Sequence, residues 1–301
     1  MPASTACKIR SMTRAELDIA VKWAAAEGWN PGKADAEAFW QADPDGYFVL
    51  ELEGEMIGSG SAVSYDGQYG FMGFFIVKPE HRGKGMGGKL WLTMRDTLRQ
   101  RLEPDTAIGI DGVFAMQDAY GRTGFVFSHR NLRMEGIASK LAFDGESFGP
   151  LYKAGGAAVS AAEHTADALA ELIEADKQWF GCSRPRFLAK WLDPAVSRTI
   201  VYRKNGKIAG YGTVRQCLKG YKIGPLFAPD AAVAEDLYRA LTAPLAGEVI
   251  YLDVPDVNTA AMELASRHGL KESFGCARMY IGTPPAVNIN QVFGITTFEL
   301  G

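Results

Sequence analysis

"VKPEHRGKGMGGKLW", Val77 to Trp91, crowds Gly83, Gly85, Gly87 and Gly88 into one turn framed by Arg82, Lys84 and Lys89. An apolar run, Phe71 to Val77, leads into the turn, and Pro79 closes that run because proline has no N–H to give a strand ladder. After Gly87 the period changes: Leu90, Met94, Leu98 and Leu102 recur every four residues, one apolar stripe of a helix. Strand, glycine turn and helix N-terminus in succession make an anion cradle. Glycines let the backbone approach closely and turn several N–H groups inward, and the helix end adds roughly half a positive charge. A pyrophosphate fits such a site.

Outward from the turn, Tyr47–Leu52, Met56–Tyr65 and Gly70–Val77 read as three successive strands, with Glu53 to Glu55 as the turn between the first two. Further upstream, a helix follows Ile9, capped by Thr13 with Glu16 three residues on, in capping-box spacing. "GWNPGKAD" (Gly28 to Asp35) is a loop, and a second helix covers Ala34 to Gln41. Downstream come a strand at Ala107–Ile110, a short helix around Asp118–Arg122 and a strand from Phe125. The stretch from Ala138 to Ser160, rich in Gly, Ala and Ser, is the expected boundary. Beyond it the order repeats. A helix covers Asp167–Trp179, and strands at Arg198–Arg203 and Lys207–Cys217 flank an Asn-Gly turn. Then follow a strand at Lys222–Leu226, a helix near Ala231–Ala243, a strand at Val249–Val254 and a helix within Asn258–Leu270 that ends at Gly269. The closing "VFGITTFELG" alternates weakly and reads as a strand closing one sheet.

The expected fold is therefore α+β: two copies of one unit, each a mixed, mostly antiparallel sheet flanked by helices. The expected domains are 1–137, a linker at 138–157, and 158–301 with a C-terminal tail. A length of 301 residues suits two domains. Formal net charge is −3, which argues against a broad nucleic-acid surface. No apolar run reaches the ~18 residues of a membrane helix, and the N-terminus has no apolar signal core. Cys7, Cys182, Cys217 and Cys276 lie far apart with no CxxC pair, which reads as reduced, metal-free and cytoplasmic.

Three phosphate-binding patterns compete for the glycine turn. A Walker loop needs Ser or Thr after Gly-Lys, and Leu90 stands there. A dinucleotide fingerprint has Glu103 at a suitable distance but needs a parallel unit, and the preceding strands read as antiparallel hairpins. The third pattern, V-x-P-x-x-R-G-x-G-x-G, is met by Val77, Pro79, Arg82, Gly83, Gly85 and Gly87. With "YGRTGF" (Tyr120 to Phe125) downstream, the sequence resembles the GNAT N-acetyltransferase superfamily. The likeness covers most of residues 8–135 and, by element order, 155–282. "GYKIGPLFA" and the "FELG" ending are similar to a tandem branch of bacterial YitH/HolE-like proteins.

The resemblance implies an acyl-CoA-dependent N-acyltransferase that moves an acetyl group from acetyl-CoA to a primary amine by direct attack. It implies that Phe75 and Val77 pair with the pantetheine arm through their backbone. Gly83, Lys84, Gly85, Met86, Gly87 and Gly88 would hold the pyrophosphate, with Arg82 adding charge. Tyr120 would be the general acid that protonates the leaving thiolate. Trp29 and Asn30 would line the acceptor pocket. The Glu that some members of the family use as base, on or near this strand, has no counterpart in "GFMGFFIV", which leaves the base open among Asp111, Asp66 and His81 through a water chain, with His129 weaker still. No metal is called for. In the second copy Pro229 and Asp230 stand where amides should converge on phosphate, and Ala265 stands where Tyr should. That copy is expected to be degenerate and to shape the acceptor pocket, with Arg215, Tyr221, Lys222 and Asp253 as candidates there. The expected acceptor is a small molecule, and the chain a monomer or homodimer. The alternatives are an acyl-CoA sensor without turnover and a protein lysine or N-terminal acetyltransferase.

Overall fold

The computed structural model describes residues 7–139, 159–160 and 166–301; most of the expected linker lies outside them. The first half runs β1 (Lys8–Ser11), α1 (Arg14–Ala26), α2 (Asp35–Ala42), β2 (Tyr47–Leu52), β3 (Glu55–Ser64) and β4 (Gly70–Val77). It continues through α3 (Met86–Gln100), β5 (Ile108–Val113), α4 (Gln117–Gly121) and β6 (Val126–Ile137). The second half runs β7 (Val159–Ser160), α5 (Ala166–Phe180), α6 (Pro185–Trp191), β8 (Ser197–Lys204), β9 (Lys207–Gln216) and β10 (Tyr221–Phe227). Then come α7 (Ala231–Thr242), β11 (Val249–Pro255), α8 (Thr259–Arg267), β12 (Lys271–Ile281) and β13 (Val292–Gly294). The capping box forms as its spacing predicts: Glu16 N–H donates to Thr13 Oγ1, and Thr13 N–H donates to Glu16 Oε2 at 2.8 Å. Among the described residues no helix is long and apolar enough to cross a membrane.

The two expected sheets are one. A 13-stranded sheet runs β1-β2-β3-β4-β5-β12-β6-β11-β10-β9-β8-β7, with β13 on β10. The order reads the same from both ends once β6 and β12 trade places, so each half lends one strand to the other, β6 to the second half and β12 to the first. β12 pairs with β5 on one side and β6 on the other, and β6 pairs with β11. Residues 1–137 and 158–301 therefore do not each close a sheet alone. The exchange repeats one buried ion pair: Arg278 holds Asp111 across β12–β5, and Arg133 holds Asp253 across β6–β11, each in bidentate fashion.

Alternation along the strands sets the layers. In β2, Tyr47 and Val49 face one core, while Phe48 and Leu50 face another under α3. The first core is shared: Leu17 and Phe39 of α1 and α2 pack in it with Phe187 and Trp191 of α6. The Phe39 and Trp191 rings stack with centroids 6.1 Å apart. A third core lies under α7 and α8. One common core across both halves means that the first half's site rests on the second half.

Candidate active site

β4 pairs with β5 in parallel only from Gly70 to Met72, opposite Ile108 to Ile110. Beyond that point the two strands part. The cause lies in β4, where Ser59 pairs with Ile76 but Ser61 pairs with Gly73, so Phe74 and Phe75 share one partner position. Such a bulge bends its strand, and Phe74 takes a left-handed φ of 48° to make it. The opening is a cavity of about 540 Å³, within the range of small-molecule sites.

The glycine turn closes one end of this cavity. Gly83 and Gly85 take φ of 74° and 78°, which a side chain would strain, and Gly85 is the N-cap of α3. Met86, Gly87 and Gly88 open the helix, so their amides have no carbonyl four residues back within it. Gly83, Gly85, Gly87 and Gly88 line the cavity with Phe75 and Val77; Lys84 and Met86 are not in its wall. Arg82 lines it too, but its guanidinium is engaged: Nε donates to the Val77 carbonyl at 2.7 Å, and the head pairs with Glu27 at the end of α1. It braces the turn against β4 and α1 rather than standing free for phosphate.

Tyr120 lines the same cavity from α4. Its ring packs 4.6 Å from that of Trp91 and sits over Gly112, where a Cβ would meet it at 2.3 Å. Burial pushes its phenol above the ordinary tyrosine range, with the Cys276 side chain adding to the effect. The phenol therefore stays protonated at neutral pH. Its hydroxyl has no hydrogen-bond partner among the described residues, which leaves it free for a ligand.

The base candidates part company. Asp111 lines the cavity, but both its oxygens are held by Arg278 at 2.8 and 2.5 Å. Asp66 pairs with Arg186 at the surface, outside the cavity. His81 stands at the cavity wall beside the glycine turn. His129 lies in a separate small cavity, held neutral because burial and Arg278 bring its pKa to about 4. Cys276 also lines the main cavity, and burial pushes its thiol well up, so it is a neutral wall and not a thiolate nucleophile. Among the described residues no group of three His, Cys, Asp or Glu stands where one metal ion would be held.

Trp29 and Asn30 separate. Trp29 lines the cavity, whereas Asn30 turns to the second half and exchanges two 2.9 Å hydrogen bonds with the Lys219 backbone. The four candidates of the second half are not cavity residues either. Arg133 donates to the Trp29 carbonyl at 2.6 Å while gripping Asp253. Lys222 donates to the Asn30 carbonyl at 3.0 Å, and Arg215 pairs with Asp35 at 2.8 Å. Burial alone would lift the Asp253 carboxyl, but Arg133 holds it below the usual range; burial and Arg133 bring Lys222 down. Tyr221 lies outside the cavity wall. Arg215, Lys222 and Asp253 thus fix the loop that presents Trp29. The cavity wall also holds Phe274, Phe298 and Glu299, which the sequence reading did not select. The one signal in the sequence was Glu299, the single charged residue in "VFGITTFELG".

The matching opening of the second half is closed. β10 pairs with β11 only from Tyr221 to Ile223, as β4 does with β5, but here β13 fills the gap. Gly294 pairs with Leu226, the Ile295 N–H donates to the Asp253 carbonyl, and Phe293 is 1% exposed. At the helix end, Asp230 caps α7 by accepting from the Val233 N–H at 3.0 Å. A carboxylate occupies the position an anion would need.

Comparison with known proteins fits this geometry. Residues 14–125 match the model of the acetyltransferase (GNAT) family, and residues 172–294 match a second acetyltransferase (GNAT) domain model. Holothin acyltransferase of a Pseudoalteromonas strain is 28% identical over 289 residues, covering 95% of this chain and 92% of that protein. The fold is similar to that of a candidate acetyltransferase from Pyrococcus horikoshii, with a TM-score of 0.78 at 22% identity over 100% of this chain and 98% of the other. A tandem GNAT protein of the clavulanic acid pathway superposes with a TM-score of 0.58 at 13% identity, covering 93% of this chain and 100% of that one. With a GNAT match in each half and the glycine turn seated on an open β4–β5 cleft, the chain belongs to the GNAT acetyltransferase family, in its tandem form.

Proposed function

We propose that this chain transfers an acetyl group from acetyl-CoA to the primary amine of a small molecule, by direct attack in the first half. The observation that carries the reading is one cavity joining the β4–β5 opening, the glycine turn at the start of α3, and Tyr120. In this reading the β4 backbone around Phe75 and Val77 pairs with the pantetheine arm. The amides from Gly83 to Gly88 hold the pyrophosphate, with Arg82 bracing the turn. Tyr120 protonates the sulfur as the C–S bond breaks. The neutral thiol of Cys276 favours direct attack over an acyl-cysteine relay. The relative named as an acyltransferase supports transfer over mere sensing. A wall contributed by both halves supports a small acceptor over a protein segment.

Calorimetric titration with acetyl-CoA tests the reading. One site per chain is expected, lost in Gly85→Glu, which puts a side chain and a negative charge on a left-handed residue of the cradle. Two sites per chain would overturn the closed second half, and no binding would end the proposal.

A further inference from the structure

The C-terminal segment serves both halves. After β13 fills the β10–β11 gap, the chain crosses to the first half, where the Leu300 carbonyl accepts from the Tyr65 hydroxyl at 2.8 Å. Glu299 lies against β4 at the start of the bulge: a Cβ on Gly73 would stand 2.2 Å from the Glu299 carbonyl oxygen. Only glycine at 73 admits the segment, and that contact seats Glu299 in the cavity wall.

Glu299 is 3% exposed, yet no cation lies within ion-pair distance of it among the described residues. Its Oε2 accepts from the Thr297 hydroxyl. Its Oε1 has no partner among the described residues, and it is not one of the sealed, unpaired side-chain atoms. It therefore keeps some accessible surface, and Glu299 is a wall residue of the cavity. Groups from several elements face it: Arg133 of β6, Arg215 of β9, Lys222 of β10 and Cys276 of β12. The three cations are already engaged by Asp253, Asp35 and the Asn30 carbonyl. A buried carboxylate with an unused oxygen is costly unless something with N–H donors meets it. Around it the wall is aromatic: Trp29, Phe274 and Phe298, with Arg133 behind the Phe298 ring at 4.9 Å.

Resting on the acetyl-transfer reading above, we propose that Glu299 is the general base of the first-half site, and that the acceptor is a primary amine on an aromatic or similarly apolar body. The amine nitrogen forms its bond to the thioester carbonyl carbon and gives one proton to Glu299. The C–S bond breaks, and the sulfur takes one proton from Tyr120. Both groups then reset by proton exchange with water. The second half thus supplies a reacting group to the first. The carboxylate absent from β4 is replaced by one delivered on the tail.

The test uses the full chain with benzylamine and phenethylamine as aromatic probes and spermidine as a charged contrast, following thiol release. The wild-type protein is expected to prefer the aromatic amines, with kcat/KM falling on the acidic side of its pH profile. E299Q, which keeps the Thr297 hydrogen bond, is expected to lose about 10²-fold or more in kcat/KM. It should also lose the acidic limb, with acetyl-CoA affinity within twofold of wild type, and E299D should recover part of the rate. An E299Q rate within threefold of wild type and an unchanged limb would overturn the base. Turnover of spermidine in preference to both aromatic amines would overturn the acceptor class. Absence of acetyl-CoA binding in the wild type would instead remove the underlying reading. T297V covers the case of an unfolded E299Q: it removes the carboxylate's one hydrogen bond, so kcat/KM must change while acetyl-CoA affinity stays within twofold of wild type, and an unchanged kcat/KM overturns the proposal.

Discussion

Replacing Tyr120 by phenylalanine removes one oxygen from a ring that is otherwise held firmly. The ring is 7% exposed, lies 4.6 Å from Trp91 and covers Gly112, and Phe fills the same slot. The hydroxyl has no hydrogen-bond partner among the described residues, so its loss breaks no internal bond. The expected stability change is within about 0.5 kcal/mol, as for substitutions that create neither cavity nor unpaired group. The kinetic change should be far larger. A positioned general acid contributes about 10²- to 10⁴-fold, or ~3–5 kcal/mol of barrier. Tyr120→Phe should therefore lower kcat by at least about 10²-fold with acetyl-CoA affinity unchanged. The pH profile adds a second check. Burial raises the phenol above its ordinary range, so the acid form persists at neutral pH. The alkaline fall in wild-type kcat should begin above the usual tyrosine pKa of about 10, and the variant should lack it. Single-turnover thiol release and calorimetry, run side by side, read both quantities. A kcat within threefold of wild type, with affinity intact, would refute Tyr120 as the acid. A matching loss in affinity would refute the argument that the ring's place is independent of its hydroxyl.

Two further outcomes follow from the packing and the charges. Phe293→Ala empties a fully enclosed site in the β10–β11 gap and should cost ~3–5 kcal/mol, read as a lowered unfolding midpoint. Acetyl-CoA stoichiometry should stay at one, because Asp230 still caps α7. Glu16 carries a carboxyl held to about 2 by its hydrogen bonds from Arg10, despite partial burial, and from Thr13. Its folded pKa lies below the unfolded one, so its stabilisation is present above about pH 4.5 and is lost as pH falls toward about 2. Glu16→Gln should cost ~1 kcal/mol at pH 6, given partial solvent screening. The difference from wild type should close in acid; a constant difference would mean that the ion pair with Arg10 is not its source.

The sequence by itself determined what depends on neighbours along the chain. The glycine turn, the end of its strand and the start of its helix sit between Val77 and Trp91, and left-handed backbone at Gly83 and Gly85 is a local demand that only glycine meets cheaply. The Thr13–Glu16 cap, the hairpins and the missing cradle at Pro229–Asp230 are local in the same way. So is the place of Tyr120, a few residues after the strand that flanks the cleft. Tertiary structure decided everything that depends on which distant strand lies alongside. No periodicity in β6 or β12 announces that each pairs in the other half's sheet, because alternation fixes the face a residue points to and not its partner. Arg82 reads as a free cation in the sequence, and folding commits it to Val77 and Glu27. Asn30 reads as a pocket amide, and folding commits it to Lys219. The tail "VFGITTFELG" reads as one weak strand. Folding divides its work: Val292 to Gly294 close the second cleft, and Glu299, more than two hundred residues from Phe75 in the chain, joins the wall of the first. A carboxylate's neighbours set its chemistry, and those neighbours exist only once both halves have packed around one core.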